Sequence, residues 1–246
     1  MAADGYINFK RFPTPWCPGC SNGVVMKATA MAFEELGLSR SNIVVVSGIG
    51  CAGRTAGFFN TDSVHGLHGR AIPLAEGIKR ANPSLHVVVM SGDGDLLGIG
   101  GNHLLHSSRR DTKITVICFD NEIYGLTGGQ MSPSTPKGVK TLTSYYGSHY
   151  PPVNAKGIIS ANSRHFYART TVAHFIHMKN CIKEALSWDG FSFVDVRSTC
   201  ISNYGRRLGF KSPSEMLNKL KIDFKMQSDP LCLREKELGI EKKDGS

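Results

Sequence analysis

Residues 86–101 read HVVVMSGDGDLLGIGG. A β-branched run ends in Ser and Gly, and a glycine-rich turn holding two acids follows at once. The run is continuous rather than alternating, as expected of a strand buried on both faces of a parallel sheet. Two further runs share this form, IVVVSG at 43–48 and ITVICFD at 114–120, and FSFVDVR at 191–197 adds a fourth strand. Helical patterning falls between them, at 22–36, 70–81, 98–109 and 171–188, and the first helix meets a natural stop at Gly37. Strand–helix alternation predicts an α/β fold with a doubly wound, mostly parallel sheet. Residues 138–161 carry little periodicity and read as a long loop. There is no internal repeat, low-complexity linker or sharp boundary. The expected organisation is one α/β domain over 1–211 and a C-terminal tail over 212–246, with a short helix at 213–221.

In such sheets ligands gather at the carboxyl ends of the strands. Here the exits read SGIGCAGR (47–54), SGDGDLLGIGG (91–101), FDNEIYGLTGGQ (119–130) and VRSTCISNYG (196–205). Gly92 and Gly94 let the backbone approach a phosphate, and the following helix turns its positive end toward it. The spacing is wrong for a dinucleotide fingerprint, and Asp93 lies inside the loop. A carboxylate facing a diphosphate makes chemical sense when a hard cation lies between them, and Mg²⁺ favours carboxylate, carbonyl and phosphate oxygens. Asn121, at the next strand exit, offers a second oxygen. Singly, either stretch is an ordinary Gly/Asp turn; together, at successive strand ends, they form a candidate cation site.

The chain has 246 residues, a formal charge of +9 and seven cysteines. Length and composition fit a globular protein with a full core. The N-terminus lacks the apolar stretch of a signal peptide, and no run reaches membrane-spanning length, so a cytoplasmic protein without membrane association is expected. Disulfides are rare in that compartment, and an odd cysteine count also argues against a disulfide framework. The basic balance suits an acidic protein partner or anionic cofactors. It comes with no helix-turn-helix or RNP-like motif, so no nucleic-acid partner is expected. The WCPGC stretch at 16–20 fits a zinc half-site, a thiol–disulfide couple or one side of an iron–sulfur cluster. A zinc-stabilised nucleotide- or RNA-binding module is the reading of another class, and it leaves Asp93 and Asn121 without a task.

GDG followed by a distant Asn resembles the thiamine diphosphate motif. WCPGC, SGIGC, HGLHGRAIPLAEGIKRANP (65–83), GDGD with GGNH, NEIYGLTGGQ and GFSFVDVRSTC (190–200) resemble, in order, the β subunit of the two-subunit 2-oxoacid:ferredoxin oxidoreductases. The resemblance runs from about Trp16 to Cys200. It implies Mg²⁺ held by Asp93, Asn121 and the Ile123 carbonyl, and one [4Fe–4S] cluster on Cys17, Cys20, Cys51 and Cys200. It further implies thiamine diphosphate contacts from Ile49, Gly50, Cys51 and Ala52, from His65, Gly66, Leu67 and His68, and from Gly94, Asp95, Gly125 and Leu126. Cys118, Cys181 and Cys232 are left as structural thiols, and the pairs His103/His106 and His174/His177 as structural histidines.

Arg54, three positions after Cys51, falls where the 2-oxoglutarate-type enzymes carry a basic residue near the distal end of the substrate. A guanidinium forks onto a carboxylate, and a buried cation without such a partner would cost several kcal/mol. The implied enzyme is a 2-oxoglutarate:ferredoxin oxidoreductase. It performs reversible, coenzyme A-dependent oxidative decarboxylation of 2-oxoglutarate to succinyl-CoA and CO₂, with electrons leaving through the cluster to ferredoxin. A pyruvate or branched-chain 2-oxoacid relative is the alternative within the family. The Glu that activates the cofactor belongs, by the same resemblance, to an α subunit. No catalytic residue is therefore expected in this chain, and an αβ or α₂β₂ complex is.

Overall fold

The structure is a computed structural model describing residues 5–229 and 231–245. Helix α1 (Asn22–Glu35) precedes β1 (Ile43–Ser47) and β2 (Asp62–His65), and α2 (Ala71–Ala81) leads to β3 (His86–Gly92). Helix α3 (Gly101–Arg109) follows, then β4 (Thr115–Asp120), the short pair β5 (Ile123–Tyr124) and β6 (Gln130–Met131), α4 (Ala155–Ser160) and β7 (Arg164–Thr171). Helix α5 (Phe175–Ser187), β8 (Ser192–Arg197), α6 (Pro213–Asp223), β9 (Lys225–Met226) and β10 (Glu237–Asp244) complete the order.

Eight strands form one sheet in the order β2-β1-β3-β4-β8-β7-β10-β9. The six from β2 to β7 pair in parallel, and β10 runs antiparallel to β7. Side chains alternate across the sheet, as a two-residue period requires. Val88 and Met90 of β3 enter the core under α1 and α5, whereas Val87 and Val89 enter the core under α2, α3 and α4. Both faces are thus covered, and apolar side chains along the central strands are buried whichever way they point. This is the doubly wound arrangement expected from the continuous β-branched runs.

Several elements depart from the sequence expectation. Residues 138–161 end in the short helix α4, whose Asn154 cap accepts from the Gly157 amide at 2.9 Å. Strand β7 was hidden by its arginines. Arg169 reaches Asp195 of β8 at 3.5 Å and the Tyr167 hydroxyl at 3.0 Å, so these charges are accommodated within the sheet. The helix expected to start at residue 171 starts at Phe175, because β7 runs through Thr171. The helix expected from residue 98 is preceded by a π-helical turn, Gly94–Ile99, that starts directly after Asp93. From residue 212 on, the chain holds α6 and also β9 and β10, which extend the main sheet. Among the described residues, no helix is long and apolar enough to cross a membrane.

Candidate functional site

The exits of β1, β3 and β4 meet at a cavity of about 110 Å³. Ile49, Gly50, Cys51 and Ala52 line it from the first exit, Asp93, Gly94 and Asp95 from the second, and Asn121, Ile123, Gly125 and Leu126 from the third. His68 closes one side. Gly94 is needed for close approach, since a Cβ there would run into the Tyr124 ring, whose hydroxyl donates to the Gly94 carbonyl at 3.0 Å.

Asp95 ties the loops together. Its buried carboxylate accepts from the Ile49 amide at 3.1 Å, the Gly69 amide at 2.8 Å and the Ser91 hydroxyl at 2.9 Å, and it meets His68 Nδ1 at 2.5 Å. With these oxygens engaged, what the Asp95 side chain offers the cavity is the orientation of His68. Gly66 and Leu67 do not line the cavity wall. The Gly66 amide donates to the Ser47 carbonyl at 2.7 Å, and the Leu67 side chain is 76% exposed.

Asp93 is buried and accepts from the Ser134 hydroxyl at 2.5 Å, with the Ser132 hydroxyl and the Gly94 amide also close to its carboxylate. The Ser134 hydroxyl lies 2.7 Å from Asp120, so its single proton serves one carboxylate at a time. Burial pushes the Asp93 carboxyl up to about 6. A cation in the cavity would supply the missing charge and reverse that shift. Asn121 Oδ1 accepts from the Ile123 amide at 3.2 Å and keeps lone-pair capacity for a second partner. Asp93, Asn121 and Ile123 thus line one cavity, and carboxylate, amide and backbone carbonyl oxygens are the kinds of donor a hard cation takes.

Below this set lies a polar network that the sequence did not reveal. The Arg197 guanidinium bridges Asp120 and Glu122, and the Tyr204 hydroxyl donates to the other Glu122 oxygen. Nothing in the spacing of these residues marks them. They come from β4, the turn after β4, β8 and the turn after β8, and only the fold brings them together.

Three chain segments bring the four cysteines of the motifs together. A Cβ at Gly125 would lie 3.2 Å from Cys200 Sγ and 4.0 Å from Cys51 Sγ. Burial pushes the Cys20 thiol up to about 11, and the nearby thiols of Cys51, Cys200 and Cys17 add to it. Two side-chain ties hold the segments: Trp16 Nε1 donates to the Cys51 carbonyl at 2.8 Å, and the Thr199 amide donates to Ser21 Oγ at 2.8 Å. Among the described residues, no three of His, Cys, Asp or Glu close up as the ligand set of a single metal ion. Cys118 and Cys181 are buried in β4 and α5, away from this group, and Cys232 is exposed.

Arg54 corrects one expectation. It is exposed, so burial gives no argument for a carboxylate partner. It lines a second cavity of about 610 Å³ together with Arg11, His65 and Phe58. The 3₁₀ segment Ala52–Phe58 separates the two cavities, with Ala52 facing the first and Arg54 the second. His65 therefore stands with Arg54, with Ser47 Oγ 3.3 Å from its Nδ1, while His68 stands at the first cavity.

Residues 48–196 match the family model described as thiamine pyrophosphate enzyme, C-terminal TPP binding domain. The chain is 44% identical over 216 residues to the 2-oxoglutarate synthase subunit KorB of Methanothermobacter thermautotrophicus, covering 88% of this chain and 76% of that one. It is 39% identical over 242 residues to the same-named subunit of Archaeoglobus fulgidus, covering 97% and 88%. A solved 2-oxoglutarate:ferredoxin oxidoreductase from Magnetococcus marinus, with 2-oxoglutarate, coenzyme A and succinyl-CoA bound, superposes with a TM-score of 0.87 at 28% identity. That match covers 100% of this chain and 86% of the other.

Proposed function

Because the chain belongs to the thiamine pyrophosphate enzymes, and within them to the β subunits of 2-oxoacid:ferredoxin oxidoreductases, we propose that it is the β subunit of a 2-oxoglutarate:ferredoxin oxidoreductase. The reaction is the reversible conversion of 2-oxoglutarate and coenzyme A to succinyl-CoA and CO₂. One observation carries the reading: Cys51 lines the cavity that holds Asp93 and Asn121, and it also belongs to the four-cysteine group. A cofactor and an electron acceptor placed there share a wall.

When bound, thiamine diphosphate supplies the electron sink for loss of CO₂, and a [4Fe–4S] cluster takes up the electrons. The chain's residues have separate tasks around these groups. Asp93, Asn121 and the Ile123 carbonyl hold Mg²⁺ against the diphosphate. His68, oriented by Asp95, offers the cofactor a hydrogen bond or a positive charge, and Gly94 lets the backbone approach. Cys17, Cys20, Cys51 and Cys200 carry the cluster. Arg54, with Arg11 and His65 beside it, makes the second cavity basic and suits the distal carboxylate of the substrate. The activating Glu comes from an α subunit, and ferredoxin receives the electrons.

Iron and acid-labile sulfide, measured on protein purified without oxygen, test the cluster. About four of each per chain is the expected result. One zinc and no sulfide would overturn it. Co-expression with the α subunit should then give coenzyme A-dependent reduction of a low-potential acceptor with 2-oxoglutarate. Equal or better turnover of pyruvate would overturn the substrate assignment.

A further inference from the structure

Glu122 stands between two proposed cation ligands, Asn121 and Ile123, and holds a φ of +63°. An L-residue adopts that backbone readily only where its surroundings hold it there. Four contacts do so, one of them the Glu122 amide donating to Asp120 Oδ1 at 3.2 Å. Arg197 takes one carboxylate oxygen and the Tyr204 hydroxyl the other. The Thr135 hydroxyl donates to the Glu122 carbonyl at 2.6 Å. Glu122 lies outside the cavity lining, so it acts on the cavity through its neighbours.

Tyr204 belongs to the turn that Cys200 opens. The Tyr204 and Gly205 amides both donate to the Cys200 carbonyl, at 3.2 and 2.8 Å. From the same turn, Asn203 Nδ2 donates at 2.7 Å to the carbonyl of Gly125, which lines the cavity and faces Cys200 and Cys51. Glu122 is therefore joined to both halves of the site, through its backbone to Asn121 and Ile123 on either side and through its carboxylate to the turn that Cys200 opens.

We propose that Glu122 is a positioning residue joining the diphosphate–cation site to the cysteine segment. Its left-handed backbone presents the Asn121 and Ile123 oxygens, and its side chain makes that presentation depend on where Tyr204, and with it Cys200, stands. The inference rests on the reading of the site given above, with Mg²⁺–thiamine diphosphate in the cavity and a cluster on the four cysteines. Coupling of this kind is reciprocal: whatever orders one side tightens the other.

Three substitutions in the αβ enzyme separate backbone from side chain. Glu122→Gly removes the carboxylate but adopts the left-handed backbone freely, Glu122→Ala removes the carboxylate and leaves a left-handed L-residue without that anchor, and Tyr204→Phe removes one hydroxyl. Two quantities are measured: the Kd for Mg²⁺–thiamine diphosphate by calorimetry, and the change in the reduced cluster's EPR signal when that cofactor is added. Wild-type protein that lacks iron or binds no cofactor would sink the reading of the site itself. With both present, the Kd is expected to rise about tenfold in Glu122→Ala and to stay near wild type in Glu122→Gly. The EPR change seen in wild type should be lost in Glu122→Gly and Tyr204→Phe. A wild-type signal that the cofactor leaves unmoved overturns the proposal. So does an EPR change that persists in both variants, or an affinity loss in Glu122→Gly equal to that in Glu122→Ala. If Glu122→Ala does not fold, the other two variants decide.

Discussion

At the scale of single residues, Asp95 shows how much one carboxylate can organise. Four donors, from two loops and strand β3, converge on it, so Asp95→Asn would turn an NH₂ group toward donors that need an acceptor. A loss on the order of 3 kcal/mol in urea-unfolding stability is expected, along with weaker cofactor binding as His68 loses its anchor. Arg54→Met should raise KM for 2-oxoglutarate roughly 10- to 100-fold in the αβ enzyme, the worth of hydrogen bonds to a charged group, and leave pyruvate turnover little changed. Equal losses on both substrates would rule out the specificity role. As candidates, Asp93, Asn121, Cys51 and Cys200 stood out in the sequence by chemical type and by their place at strand exits, and Cys17 and Cys20 by their spacing in WCPGC. Ser134, Glu122, Arg197 and Tyr204 were not legible. A hydroxyl or guanidinium becomes informative only when the fold sets it against a carboxylate from another segment. Arg54 is the opposite case: its position was read correctly as a strand exit, but its burial could not be read.

At the scale of elements, the strands found from sequence are those buried on both faces. Strands β2 and β10 sit toward the sheet margins, where polar side chains are favoured, and ELGIEKKD carries no apolar run. Leu238 is nevertheless buried where β10 pairs with β9. Leu238→Ala is expected to cost about 2–4 kcal/mol, measured by urea unfolding. A loss below 1 kcal/mol would mean that β10 contributes little to the domain. Thiol labelling offers a second check on packing. Burial pushes Cys181 up to about 12 and Cys118 well above the usual thiol range, so neither forms thiolate near pH 8. Native protein should label at Cys232 and leave both inner thiols untouched until it unfolds, as peptide mass mapping would show. Helix α6 was read from sequence as a short helix at 213–221, but neither its Ser212 cap nor its seat was: Pro213 packs directly on Gly19 of the CPGC turn.

Across the whole molecule, two features of the surface point outward. Ile49 and Leu126 at the cavity, and Leu67 and Ile99 flanking the His68 loop, leave an exposed apolar rim where the α subunit proposed above would sit. The chain also carries a formal charge of +9, and an acidic electron acceptor would be drawn to it over a distance set by salt. Acceptor reduction at limiting ferredoxin should slow several-fold between about 50 and 300 mM salt, while the response to 2-oxoglutarate concentration changes less. A salt-independent rate would place the docking face on another subunit. The cysteine group, finally, has a consequence for how the protein is made. Its members come from the beginning of the chain, the exit of β1 and the exit of the last central strand, β8. While the ribosome is still short of Cys200, a nascent chain can offer at most three of the four thiols. Delivery of the proposed cluster would thus wait until β8 has been synthesised and inserted between β4 and β7, and a loaded chain would be one that has already passed this folding checkpoint.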